Sequence, residues 1–326
     1  FILNKRTVLA LCNSENCELI LVLLFGIVVS CLLMACAGVA SAQSTATVSG
    51  TIAAGYLKAI DGSKGLVLDS NSIRVGLTED LGDGLKLSAY TQFKGNSARG
   101  GNLTKEDSAM TLSSSWGSLA YQNTRTSTLA RDVGLVGDNW LWDNPYSSNN
   151  KEVFSREAAD YLTYTTADMS GIRASVAYFE TATDGSTTPT TKSASLALVY
   201  AAGPVKVAGR YINSKNDTWT GDTTKNSFDL GASYDLGMAK LGLGYDSKRR
   251  GKGTGDKAAV TASISAPVGP VTFGLNYGKR DASDFTEASV KYALSKRSAV
   301  YLDYGKAKMA KNASNSQYNL VLVHNF

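Results

Sequence analysis

Through most of the chain, apolar and polar residues alternate with a period of two, in runs of about ten residues separated by turn residues. Successive side chains of a strand point to opposite faces, so each run predicts a two-faced β-strand. Val48, Ile52 and Tyr56 mark one face of the first run, and Ile73, Val75 and Leu77 mark the second, with Arg74 on the other side. Leu85, Leu87, Ala89 and Phe93 stand against Lys86, Ser88, Tyr90, Gln92 and Lys94. Val205, Val207 and Tyr211 oppose Lys206 and Arg210, and Phe228, Leu230, Ala232 and Tyr234 oppose Asp229, Ser233 and Asp235. In the last run Tyr318, Leu320, Leu322, His324 and Phe326 share one face, and Asn319, Val321, Val323 and Asn325 the other.

A soluble sandwich also alternates, so further features must decide. The apolar faces often end in Tyr or Phe, as the interface girdles of a membrane barrel do, and they carry almost no charge. A Lys or Arg at mid-bilayer on a lipid-facing strand costs about 2–4 kcal/mol. The connections alternate too. Residues 81–84, 168–171, 202–204, 236–238, 266–270 and 295–297 read as tight turns. Residues 95–105, 183–191, 214–225 and 248–256 read as longer polar loops. Short turns at one end and long loops at the other belong to membrane barrels. The runs predict an all-β chain: a transmembrane antiparallel β-barrel of sixteen strands, with both termini at the short-turn end. So wide a barrel holds water inside. The polar faces then line the lumen, with Lys86, Lys94, Lys206, Arg210 and Lys240 as its basic lining.

From about 124 to 157 the alternation stops. A structureless stretch of this length inside a compact domain is usually functional. Trp140, Leu141, Trp142 and Tyr146 make it too apolar for a solvated loop. It is expected to fold into the barrel, pack on the inner wall, narrow the pore, and set Asp132, Asp138 and Asp143 beside the opening.

Composition adds a leader. Residues 19–37 are nearly all apolar, Lys5 and Arg6 precede them, and Ala40-Ser41-Ala42 fits a small-residue cleavage site. Residues 1–42 are thus expected to be a removed signal peptide, and 43–326 the barrel. Phe1 at the start, and Glu15 and Glu18 before the apolar run, leave the leader's own beginning open. All four cysteines (Cys12, Cys17, Cys31, Cys36) fall in it, so no disulfide framework or cysteine metal site is expected in the barrel. Retention as a membrane anchor and lipidation at Cys36 are the alternative fates of this segment.

The net charge of +5 is mild, and no basic run carries interleaved aromatics, so no nucleic-acid partner is expected. The densest basic cluster, residues 248–252, reads as a loop tip. Gly251-Lys252-Gly253-Thr254-Gly255-Asp256 lacks the ending and the strand-to-helix setting of a phosphate loop. His324 is the single histidine, so no histidine-based triad or multi-histidine metal site is available. Neither an enzyme nor a cofactor is expected.

Four stretches resemble the Gram-negative general porins, the trimeric sixteen-stranded kind of the beta-proteobacterial branch. They are SIRVGLTEDLGDGLK from Ser72 to Lys86, WGSLAY from Trp116 to Tyr121, LSKRSAVY from Leu294 to Tyr301, and the ending through His324 and Phe326. The resemblance implies an outer-membrane channel for small ions and hydrophilic solutes. It also implies a homotrimer among lipid and lipopolysaccharide, and Phe326 as the signal read by the outer-membrane assembly machinery. In that family the third loop forms an eyelet facing wall arginines. By position Arg74 and Arg156 match two of them. Asn123 stands near the place of a third, and Arg125, assigned the same inward parity, is the expected substitute. The excess of inward Lys and Arg suggests a weak anion preference. The rival readings are a substrate-selective channel on the same fold and a barrel serving as adhesin or structural protein.

Overall fold

The computed structural model describes residues 44–59, 62–95, 102–141, 153, 158–182, 191–216, 226–247, 257–309 and 312–326. The leader with its cysteines, the cluster at 248–256, and Trp142, Asp143, Tyr146 and Arg156 of the long loop lie outside the described residues.

The strands are β1 (Ser44–Lys58), β2 (Lys64–Gly82), β3 (Leu85–Gly95), β4 (Leu103–Ser114), β5 (Gly117–Arg125), β6 (Ala158–Thr166), β7 (Ile172–Ala182) and β8 (Thr191–Ala202). They continue as β9 (Val205–Asn216), β10 (Asn226–Asp235), β11 (Lys240–Asp246), β12 (Ala259–Val268), β13 (Val271–Arg280), β14 (Ser283–Ala293), β15 (Ser298–Met309) and β16 (Asn312–Asn325). Each pairs with its chain neighbours, and β16 returns to β1 to close the barrel. The number, order and closure agree with the alternation in the sequence. Closure leaves no open edge, which matters in lipid because no water is present to satisfy free N–H and C=O groups.

The seam is pinned at the chain end. β1 and β16 run in register from Thr51 opposite Asn325 to Lys58 opposite Tyr318. Beyond them, the Gly50 N–H donates to the Phe326 carbonyl and the Phe326 N–H to the Gly50 carbonyl, both at 3.0 Å. A Cβ at Gly50 would stand 2.5 Å from the Phe326 ring, so glycine makes the seat for the terminal aromatic.

At the end holding both termini the turns are short. Three share one device: Asp80, Asp168 and Asp235 each accept the amide of a following glycine (Gly82, Gly171, Gly237) at 2.8–2.9 Å. Those glycines have φ of 87°, 88° and 81°, a region that other residues enter at a cost. The Gly171 N–H, and next the Arg173 guanidinium, hold the Asp168 carboxyl below the usual carboxylate range. The other end is less uniform than the sequence reading of long loops implies. β13 and β14 stay paired out to Arg280 opposite Ser283, and Asp281, with φ 53°, turns the chain with Ala282 alone.

The outer face is apolar and open: Val48, Leu77, Leu243 and Leu302 are all more than half exposed. Aromatic stacks stand toward its two ends, Trp116 on Tyr164 at 6.0 Å and Phe228 on Tyr245 at 5.5 Å. The inner face is where burial occurs, and much of what is buried there is polar, including Asp229, Asn276, Glu287, Ser289, Asp303 and Asn319. They are covered by the long loop.

Candidate functional site: a stitched constriction

The loop enters from β5 with a single helical turn, α1 (Leu129–Asp132). Thr128 caps it by accepting the Arg131 N–H at 3.4 Å. The Leu129 N–H, one of the amides a helix start leaves without an internal partner, donates to Asp229 on β10 at 3.2 Å. The chain then runs along the inner wall, and successive strands hold it. Thr261 on β12 donates to the Ala130 carbonyl at 2.9 Å. Ser263 donates to the Gly134 carbonyl and accepts the Val136 N–H, at 2.9 and 2.8 Å. Asn276 on β13 takes both polar groups of Gly137, each at 3.0 Å. On β14, Ser289 donates to the Asp138 carbonyl at 2.6 Å, and Glu287 accepts from the Asn139 amide at 3.0 Å. On β15, Asp303 accepts the Trp140 N–H at 3.2 Å.

Glycines let the two backbones approach. A Cβ at Gly231 would lie 2.2 Å from the Leu129 carbonyl oxygen, and one at Gly244 2.4 Å from that of Ala130. Between these contacts the loop's apolar residues fill pockets in the wall. Trp140 packs with Ala53, Ala299, Tyr301, Val321 and Val323, and Leu141 with Leu57, Ala59 and Val67. The expected inward packing of Trp140 and Leu141 is observed.

Two arginines clamp the loop. Arg210 on β9 pairs with Asp229 at 2.5 Å and donates to the Ser127 carbonyl at its root. Arg280 on β13 pairs with Asp246 at 2.5 Å and donates to the Val153 carbonyl, farther along, at 2.8 Å.

Opposite Asp138, Asn139 and Trp140, the tip of the described part of the loop, stands a chain of polar groups on β2, β3 and β4. Arg74 donates twice to the Gln92 carbonyl oxygen, at 3.0 and 2.7 Å, and lies over the Tyr90 ring at 4.1 Å. The Gln92 amide donates to Glu106 at 2.6 Å, and Glu106 lies 3.7 Å from Lys94. Between this wall and the tip is an open pocket of about 340 Å³.

A sequence profile of the family described as Gram-negative porin matches residues 29–312. The chain belongs to the Gram-negative porins. An outer-membrane porin protein of Bordetella pertussis is 30% identical over 233 residues, 63% of this chain and 60% of that relative's length. The match therefore spans less than two thirds of the curated relative. Among solved structures, the fold is similar to OmpF of Salmonella typhi in complex with daunomycin (TM-score 0.68, 16% identity, 86% of this chain and 97% of that one). It is similar also to an anion-selective porin from Comamonas acidovorans (TM-score 0.61, 21% identity, 87% and 100%).

Within this porin the residues singled out from sequence are distributed as follows. Arg74 is on the inner wall, next to the pocket. Arg125 is not: Asn123 shares a face with Tyr121, which pairs with Met110, and both Tyr121 and Met110 are exposed on the outer surface. Arg125 ends β5 two residues on, opposite Ala158, so the register gives it outward parity. Asn123 accordingly bonds to Lys105 and Asp160 on that outer face. Asp138 reaches the pocket but is held by Lys291 at 2.7 Å. Asp132 lies back at α1, accepting from Ser127 at 2.6 Å. Lys94 lines the pocket beside Glu106. Lys86, Lys206 and Lys240 are exposed on the inner face toward the short-turn mouth. Arg210, read from sequence as lumen lining, has the inward parity but lies under the loop. The residues that position the loop (Ser263, Asn276, Ser289, Asp303 and the wall glycines) had one signal in sequence: small and polar residues repeating on the inward face from β10 to β15.

Proposed function

We propose that this porin is a passive diffusion channel of the bacterial outer membrane for small hydrophilic solutes and ions, acting without a cofactor. The observation that carries the reading is the inward loop, bonded across the wall of a closed barrel, with an open polar gap left at its tip. A wet gap of this kind limits solutes by size and biases ions by the charge of its walls. Of the exposed lysines at one mouth, Lys86 stands opposite Asp80 and Lys240 opposite Asp235, while Lys206 stands opposite Ser233, so the positive excess there is small and favours a weak anion preference. Reconstituted protein should give stepwise conductance in planar bilayers and a modest anion-selective reversal potential in a KCl gradient. Exchanging the three lysines for glutamine should move that potential toward zero. A cation-selective potential in the unaltered protein refutes the preference; silent bilayers and unswollen liposomes refute the channel.

The reading includes a homotrimer set in lipid and lipopolysaccharide, a leader removed after Ala42, and Phe326 as the residue read during assembly. The open apolar outer face supports the lipid setting, and the seating of Phe326 on Gly50 supports its part in assembly. Amino-terminal sequencing of the membrane protein should begin at Gln43.

A further inference from the structure

We propose that the pocket at the loop tip is a binding subsite for a small, uncharged, polyhydroxylated solute with the size and chemistry of a monosaccharide. The proposal rests on the channel reading above and names the solute class the constriction holds.

The two carboxylates that line the pocket each have a lysine partner. On the wall, Lys94 is beside Glu106 at 3.7 Å; on the loop side, Asp138 is bound by Lys291 at 2.7 Å. Arg74, beside the pocket, donates to the neutral Gln92 amide oxygen and lies over Tyr90, so no carboxylate meets its charge there. A cationic solute would have to break one of these ion pairs to gain a carboxylate. A neutral solute loses nothing.

What remains for a ligand is hydroxyl and aromatic surface. The Ser70 and Ser72 hydroxyls face the pocket from β2 and have no hydrogen-bond partner among the described residues, so each offers a donor and acceptor sites. The Thr51 hydroxyl donates to Asn325 at 2.7 Å and keeps its lone pairs. Across from them stands Trp140, tilted on Tyr301 with ring centroids 5.8 Å apart. An apolar aromatic wall facing a few placed polar groups is the usual composition of a small-molecule site. A pyranose presents the matching pair, a C–H face and a hydroxyl rim. The volume of about 340 Å³ is at the lower end of the range of roughly 300–1,000 Å³ for such sites. The platform is also fixed in advance, since the Trp140 N–H is held by Asp303 and its side chain packs among Ala53, Val321 and Val323. Pre-organised sites lose less ordering entropy on binding.

The test is titration of glucose into planar bilayers carrying the full trimer, reading ion current. A saturable fall in current is expected, with glucosamine blocking more weakly. Trp140→Ala should raise the half-blocking concentration about tenfold or more. The double exchange Ser70→Ala with Ser72→Ala, which leaves the loop untouched, should raise it severalfold. Normal conductance that falls only linearly with glucose overturns the subsite alone, as does a saturable block that neither variant shifts. Absence of conductance from the unaltered protein overturns the channel reading and the subsite with it.

Discussion

Gly231, Gly242 and Gly244 keep the inner wall flat where the loop backbone crosses it, and beside them single side chains do the holding. Asn276 is the clearest case, because it answers both polar groups of Gly137 at 3.0 Å. Asn276→Ala leaves a buried N–H and C=O without partners, at a cost of about 1–3 kcal/mol. Thermal unfolding followed by the β-sheet signal should shift down, and the Gly137 amide should exchange faster with solvent. Gly244→Val tests the flat wall, since its Cβ would stand 2.4 Å from the Ala130 carbonyl oxygen. The barrel should still form, but the loop must lift, and single-channel conductance should change. None of these residues stands out in the sequence. Alternation assigns Asn276, Ser263 and Asp303 to the inner face but cannot distinguish an inner face that is wet from one that is covered. Arg125 is a different case. Leu119 and Tyr121 already mark the outer face of β5, and Asn123 and Arg125 continue it; the expected eyelet arginine was placed by resemblance against that local pattern.

At the scale of the element, the loop behaves as an extra layer of the wall. Its apolar content, Trp140 and Leu141 above all, announces inward packing in the sequence, because such side chains gain by leaving water. Its clamps do not. Arg210 and Arg280 have the same period-two placement as a solvated lumen cation, yet Arg280 is 3% exposed and its partner Asp246 equally buried. Removing one partner of a buried pair strands the other charge, which costs about 3–5 kcal/mol. Arg280→Ala should therefore lower the melting temperature markedly and free the Val153 end of the loop. Replacing Arg280 and Asp246 together by apolar residues of similar volume should restore most of the stability while leaving that carbonyl without its donor. Comparing melting curves of the single and paired variants checks this.

For the whole molecule, strand number and closure were legible because each is a sum over many runs, and an error in one run does not change the total. The seam shows how the sum is completed. Phe326 gives its N–H and carbonyl to Gly50 and lays its ring on the same residue, so the last residue locks the first strand. Deleting Phe326 should depress the yield of folded barrel in the outer membrane far more than it alters the conductance of the channels that form. Normal yield after the deletion would refute that role.

The ladder of bonds between loop and wall has an electrical consequence. A pore whose narrowest part hangs free flickers as that part moves, and its current is noisy. Here the stretch from Leu129 to Trp140 is tied to β10, β12, β13, β14 and β15 in turn. The open channel is expected to be quiet in single-channel recordings, and its size cut-off to be a step in solute radius, because this stretch of the loop is held to five strands of the wall.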